Sequence, residues 1–301
     1  MLVRDFVDGV DIDQVLLVRD RSRGVLKLGD RTGCIRARVP SELGGGCNPG
    51  IPVRVSARVR GDELDVHSLR VAEEAEYDLA ELLDGPPRSA TGMEADLREL
   101  LATIQDPHLR ALLDQVFGPK SPTWRQFRDA PAAKRYHQAY RHGLLEHSLT
   151  VAQAVSAISA TFPGIDRDVA VTGALLHDIG KLEAYTADPR AIDMTDLGKL
   201  QGEIPLGYYR IRRAIEDLPG FPEQLAAAVL HIILSHHGQL EHGSPVVPCT
   251  REATLVHMID NLGGRLGSFD RLEKELPDGS SWSQYDRALS GSAWFSERHA
   301  A

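Results

Sequence analysis

Along the first 75 residues, apolar and polar positions alternate in short bursts. The segments 15–18, 24–28, 35–39 and 53–59 are rich in β-branched residues, and 53–59 alternates Val, Arg, Val, Ser, Ala, Arg, Val. A period of two predicts strands with one buried face. Gly29-Asp30, Gly44-Gly45-Gly46 and Gly61-Asp62 punctuate them, as turns require. A further short strand is predicted at 62–66. Five short strands within about 70 residues predict a small closed barrel, and the OB-fold is the common barrel of that size.

The period then changes to that of a helix. Leu97, Leu100, Leu101 and Ile104 make one apolar stripe, and Leu144, Val151, Val155 and Ile158 a second. Leu225, Val229, Ile232 and Ile233 make a third, and Ala253, Val256 and Ile259 a fourth. The chain therefore divides into a barrel over 1–75, a linker over 76–92 around Gly85-Pro86-Pro87, an all-α domain over 93–276 and a loose, Ser- and Gly-rich tail over 277–301. Thr91 is expected as the N-cap of the first long helix, with Glu94 completing a capping box. No internal repeat is visible.

Bulk properties narrow the function. The 301 residues suit two domains, and 42% hydrophobic with 26% charged is an ordinary globular balance. No apolar run approaches the ~20 residues of a membrane span. The first residues include Arg4 and Asp5 and have no apolar stretch of secretory type, which gives the expectation of a cytoplasmic location. Three cysteines, without C-x-x-C spacing, argue against a disulfide framework or a thiolate zinc site. A net charge of −9 argues against a general nucleic-acid binder. Between Arg19 and Arg60, however, Lys and Arg outnumber acids, so a local basic face is expected to attract phosphates, with a merely solvated strand surface as the alternative.

Four helical segments carry metal-ligating side chains near one end. They are Gly143-Leu-Leu-Glu-His147, Leu176-His-Asp-Ile-Gly-Lys181, His231-Ile-Ile-Leu-Ser-His-His-Gly238 and His257-Met-Ile-Asp-Asn261. His and Asp are costly to bury unpartnered. Yet His177-Asp178 follows an apolar helical run, His236 continues the stripe of Val229, Ile232 and Ile233, and Asp260 sits inside another. A shared metal ion compensates all of them at once. Imidazole nitrogen with carboxylate oxygen suits zinc, manganese or iron. One His-Asp or His-His pair is a weak signal; His147, His177-Asp178-x-Gly-Lys181 and a later Asp260 in a helical background are a strong one.

This pattern resembles the HD superfamily of metal-dependent phosphohydrolases, which are all-α domains. Pro131-Ala-Ala-Lys-Arg-Tyr-His-Gln-Ala-Tyr140, followed by Gly143-Leu144 and His147, is similar to the entry of the HD domain in YhaM-type 3′→5′ exoribonucleases, which carry an N-terminal OB-fold. The resemblance implies that His147, His177, Asp178 and Asp260 hold one divalent metal ion. Asp178, His236 and His237 would hold a second, with Asp178 bridging and acting in catalysis. It implies that Lys181 neutralises a phosphate oxygen and that Lys134 and His137 contact substrate phosphates. It also implies single-stranded RNA or DNA as partner, no membrane, and nucleoside monophosphates as products; self-association is left open.

The chain departs from the family in places. Glu203 stands where the family usually has a histidine after the glycine, which favours manganese among manganese, magnesium, iron and zinc. His142-Gly143 replaces Gly-Gly. The barrel has one aromatic residue, Phe6, before Tyr77, which weakens the case for base stacking there. Two other readings stay open: a small-nucleotide phosphohydrolase whose barrel serves assembly, and a non-catalytic nucleic-acid-binding protein. His231, on a different face from His236, is expected to be structural. His257 could support the site from outside, Arg210, Arg212 and Arg213 could line a substrate path, and Trp124, Trp282 and Trp294 are expected to be packing residues.

Overall fold

The computed structural model describes residues 1–22, 24–39, 46–134, 138–274, 276 and 279–296. They form two compact units: Met1–Gly85 with Asp188–Ile192, and the remainder from Pro86 on.

In the first unit, β1 (Asp11–Ser22), β2 (Val25–Asp30), β3 (Gly33–Arg38), β4 (Pro52–Arg60) and β5 (Glu63–Val71) cover the predicted strands and extend them. β1 pairs with both β2 and β4, β2 with β3, and β4 with β5, all antiparallel; β3 and β5 pair in parallel. The order β1-β2-β3-β5-β4 closes the sheet on itself, so no long strand edge is exposed. Alternate residues fill the interior: Leu16, Val18, Leu26, Leu28, Val53, Val55, Ala57 and Val59 are buried. Leu17 is buried too, beside a register shift between Val18 and Asp20. The short helix α1 (Leu79–Leu82) follows, capped by Asp78, in what the sequence reads as linker.

The outward arginines correct the expectation of a basic face. Arg54 pairs with Asp13 at 3.0 Å, Arg60 with Asp65 at 3.0 Å, Arg38 with Glu63 at 2.8 Å and Arg58 with Asp11 at 3.5 Å; Arg36 pairs with Asp62. The acids come from neighbouring strands and turns; all but Asp65, five residues from Arg60, are distant in sequence and adjacent in space. Residues 1–75 hold 12 Lys and Arg against 12 Asp and Glu, so the surface is neutralised.

In the second unit, helices α2 (Ala90–Ala102), α3 (Pro107–Phe117), α4 (Pro122–Asp129), α5 (Gly143–Ser159) and α6 (Arg167–Leu176) come first. They are followed by α7 (Lys181–Ala184), α8 (Asp196–Gln201), α9 (Glu203–Glu216), α10 (Glu223–Ser235) and α11 (Arg251–Lys274). One apolar core runs through them, with Leu144, Val155, Ala174, Leu175, Val229, Ile233, Val256 and Ile259 at its centre. α2 starts three residues before the predicted boundary, because Ser89 and not Thr91 caps it: the Ser89 hydroxyl accepts from the Gly92 amide at 3.1 Å. Glycines allow close packing. A Cβ at Gly173 would lie 2.3 Å from Ile232, so α6 and α10 approach closely there.

The tail contains a hairpin, β6 (Trp282–Asp286) with β7 (Gly291–Trp294), which the sequence reading did not anticipate. Trp282 faces Trp294 across it, and both are exposed, whereas Trp124 packs against Phe117 and Phe127 as expected. Among the described residues, no helix is long and apolar enough to cross a membrane.

Candidate metal centre

The centre forms where the ends of α5, α6 and α10 meet the middle of α11. His147 lies one turn into α5. That helix begins tightly: a Cβ at Gly143 would stand 2.1 Å from the Gln138 carbonyl oxygen. His142, its N-cap, has φ 71°. Glycine adopts this left-handed backbone freely, and another residue does so at a cost of about 1–2 kcal/mol. The His142 ring offsets part of that by donating from Nδ1 to the Arg128 carbonyl at 2.7 Å.

His177 is the C-cap of α6, and Asp178 follows in the turn to α7. Gly180 closes that turn against α9, where a Cβ would stand 2.0 Å from Glu203 O and 2.4 Å from Gly207 N. The glycine of the His-Asp-x-Gly motif therefore lets the start of α9 sit beside the centre. His236 caps α10, and Asp260 projects from α11.

The imidazoles share one arrangement. Nδ1–H of His177 donates to Ala174 O at 2.7 Å, that of His236 to Ile233 O at 2.8 Å, and that of His237 to His242 O at 2.9 Å. Nδ1 of His147 meets Gln138 Oε1 at 3.1 Å. A carbonyl can only accept, so each Nδ1 carries a proton and Nε2 is the nitrogen turned towards the centre, the arrangement that metal-ligating histidines adopt.

The Nε2 atoms converge on the carboxylates. His147 and His177 Nε2 are 3.1 Å apart and lie 3.2 and 3.3 Å from Asp178 Oδ2. Asp260 Oδ1 is 3.1 Å from His147 Nε2 and 3.7 Å from that of His177. His236 Nε2 and Asp178 Oδ1 are 3.5 Å apart, and both are buried without a hydrogen bond among the described residues. Two overlapping triads have ligand atoms within 4.8 Å of one another: His147, His177 and Asp178, and His177, His236 and Asp260. Two orphaned buried polar atoms beside converging imidazole and carboxylate groups fit a divalent cation, which would satisfy them together.

Electrostatics agree. Burial opposes charge on the imidazoles, but Asp178 and Asp260 outweigh it, raising His147 and pushing His177 up to about 10. Burial likewise opposes charge on Asp178, yet Lys181 and His177 hold it well below the usual carboxylate range. Asp260 is held down by His147 and His177. Lys181 binds Asp178 Oδ2 at 2.6 Å. His237 shifts the other way, lowered by burial and by His236.

The remaining expected residues fall at differing distances from this cluster. His237 and Glu203 form a looser pair at 3.7 Å, beside it. Lys134 pairs with Asp193, and His137 lies outside the described residues. His231 accepts from the Cys249 amide at 3.0 Å, on another face, as expected. Arg210 binds Glu183 and Arg212 binds Glu216, so both are engaged in pairs within their own surroundings. A cavity of about 270 Å³ is lined by His236, His237, His242, His257, Asp260 and Asn261. His257 donates to the main-chain carbonyl of His236 at 2.8 Å. The sequence reading missed Gln138 and His242. Neither follows from periodicity, because Gln138 lies outside the helices and His242 ends a 3-10 helix, Leu240–His242, too short to show a period.

Residues 144–264 match the HD domain family, a span that contains every candidate ligand from His147 to Asp260. That part of the chain carries an HD domain, a match that supports a hydrolase. The chain is similar to 3'-5' exoribonuclease YhaM of Geobacillus sp. (strain WCH70), with which it is 29% identical over 288 residues. The match covers 89% of this chain and 87% of that protein. No solved structure matches the chain significantly.

Proposed function

We propose that the chain is a metal-dependent 3′→5′ exonuclease that hydrolyses single-stranded RNA, and by the same chemistry DNA, to nucleoside monophosphates. The observation that carries this is the convergence of His147, His177, His236, Asp178 and Asp260, with Asp178 Oδ1 and His236 Nε2 unsatisfied. The relative's printed activity supports the polymer substrate and the polarity.

In this reading His147, His177, Asp178 and Asp260 hold one ion, and Asp178, His236, His237 and Glu203 a second, manganese first. Bound there, divalent ions supply positive charge at the scissile phosphate and an activated water. The carbonyl anchors on Nδ1 keep the imidazoles in the ligating tautomer. Lys181, held by Asp178, places an ammonium where it can neutralise a phosphate oxygen. Lys134 exchanges Asp193 for substrate phosphate, and His137 is read as a second phosphate contact. The closed five-stranded unit is read as an OB-fold, and the chain as cytoplasmic. The test is turnover of labelled single-stranded RNA, DNA and mononucleotides across a series of divalent metals. Stepwise release of monophosphates from the 3′ end with manganese is expected; inactivity on every polymer would overturn the reading.

One observation favours a second reading. The barrel's arginines are neutralised by acids, and it lacks aromatic platforms. A hydrolase of small nucleotides, with the barrel used for self-association, needs neither. Hydrolysis of mononucleotides in the same screen, without polymer degradation, would select it.

A further inference from the structure

Among the converging imidazoles, His147 differs in what fixes its tautomer. His177, His236 and His237 donate to main-chain carbonyls, which no substitution removes. His147 Nδ1 meets a side chain, the Gln138 amide oxygen, at 3.1 Å. Gln138 is itself held in an unusual state. Its φ is 61°, in the left-handed region that non-glycine residues avoid. The surroundings enforce that conformation from two sides. Its carbonyl accepts from the Ala132 amide at 3.1 Å, and Gly143, the first residue of α5, packs directly against that carbonyl. Backbone strain that its neighbours over-determine, at a residue touching a functional group, motivates a functional reading.

We infer that Gln138 is a positioning residue: its amide oxygen sets the tautomer and ring orientation of His147, and through them the affinity of the centre for its metal. The inference rests on the metal-site reading above. The amide oxygen accepts the Nδ1 proton, so Nε2 is the nitrogen turned towards Asp178 and Asp260 and is the one that can ligate once a metal ion displaces its proton. Without an acceptor, the neutral ring gains as much by placing its proton on Nε2, facing those carboxylates, and that form cannot ligate. Outer partners of this kind are worth about 10–100-fold in metal affinity.

The test separates side chain from backbone. Glycine adopts φ 61° without penalty, so Gln138→Gly removes the acceptor while relieving the strain. Gln138→Glu keeps an oxygen acceptor and strengthens it. Manganese and zinc affinities are measured by competition with a chelator, and thermal midpoints on the metal-free chain. Gln138→Gly should bind metal about 10–100-fold more weakly with a midpoint no lower than wild type, and Gln138→Glu should bind at least as tightly as wild type. Wild-type affinity in Gln138→Gly would overturn the inference, as would equal loss in both variants, which would mean the side chain acts by shape. If wild type itself binds neither metal, the metal-site reading fails instead.

Discussion

At the scale of single residues, Asp178 bears the most. It is buried, faces three imidazoles and holds Lys181. Asp178→Asn keeps its shape and removes its charge. We expect it to lose at least the about 100-fold that a supporting partner is worth in metal affinity, with hydrolysis lost in parallel; calorimetric titration and turnover check this. The protonation pattern gives a second prediction. In the metal-free chain His177 is raised to about 10, so at neutral pH it holds a proton that a metal ion must displace. Metal affinity should therefore rise with pH through neutrality, and binding should release protons, which titration in buffers of different ionisation enthalpy reads directly. Stability of the metal-free chain follows the opposite sign for the histidines. A raised imidazole stabilises fully below its unfolded value of 6.5, and this is lost as pH rises towards about 10. The lowered Asp178 and Asp260 stabilise above 3.8, and this is lost as pH falls. Both contributions are present together between those values, about pH 4 to 6.5. Metal-free denaturation that is most resistant at pH 8 would contradict this account.

At the scale of elements, the centre depends on how helix ends are brought together. Gly180 is the tightest of these points, because main-chain atoms of Glu203 and Gly207 fill the space a side chain would need. Gly180→Ala must push the start of α9 away. We expect it to cost about 1–3 kcal/mol, the usual range for overpacking, visible as a lower urea midpoint. It should also move Glu203 away from His237, so second-site binding should weaken more than first-site binding in a metal titration. The sequence made the helices and the His-Asp-x-Gly-Lys turn legible, because apolar stripes of period 3.6 run into polar ligands. It left the cap of α2 misplaced by two residues, since Ser89 and Thr91 are equally good capping chemistry and only packing chooses. The hairpin of Trp282–Asp286 and Gly291–Trp294 escaped notice because its strands are short and register-shifted, so no clean alternation appears.

At the scale of the whole molecule, the barrel's charge has the largest consequence. Each phosphate contact by a cation contributes about −0.7 to the slope of log affinity against log salt for single strands. Arg36, Arg38, Arg54, Arg58 and Arg60 are already paired, while Lys27 and Arg31 have no ion pair among the described residues. If the arginine strip gripped RNA, the slope would exceed about 3; with the strip neutralised, we expect about 1–2. Glu63→Gln frees Arg38 and should tighten RNA binding wherever the barrel touches the strand. A salt titration of single-stranded RNA binding, on wild type and Glu63→Gln, measures both.

The linear order of residues was enough to read a strand-rich N-terminal part, a helical remainder and a set of candidate ligands from His147 to Asp260, because local periodicity and the cost of burying His and Asp are written residue by residue. It could not show that Arg38 meets Glu63 or Arg54 meets Asp13, so a neutral surface looked basic. Nor could it show that Gln138 anchors His147, that Gly180 backs onto Glu203, or that His237 and Glu203 stand slightly apart from the tighter triads. Each of these is a meeting of segments distant in sequence or irregular in conformation. Which partners they find is decided by the way helices and strands pack, a property of the folded chain that no single stretch of it contains.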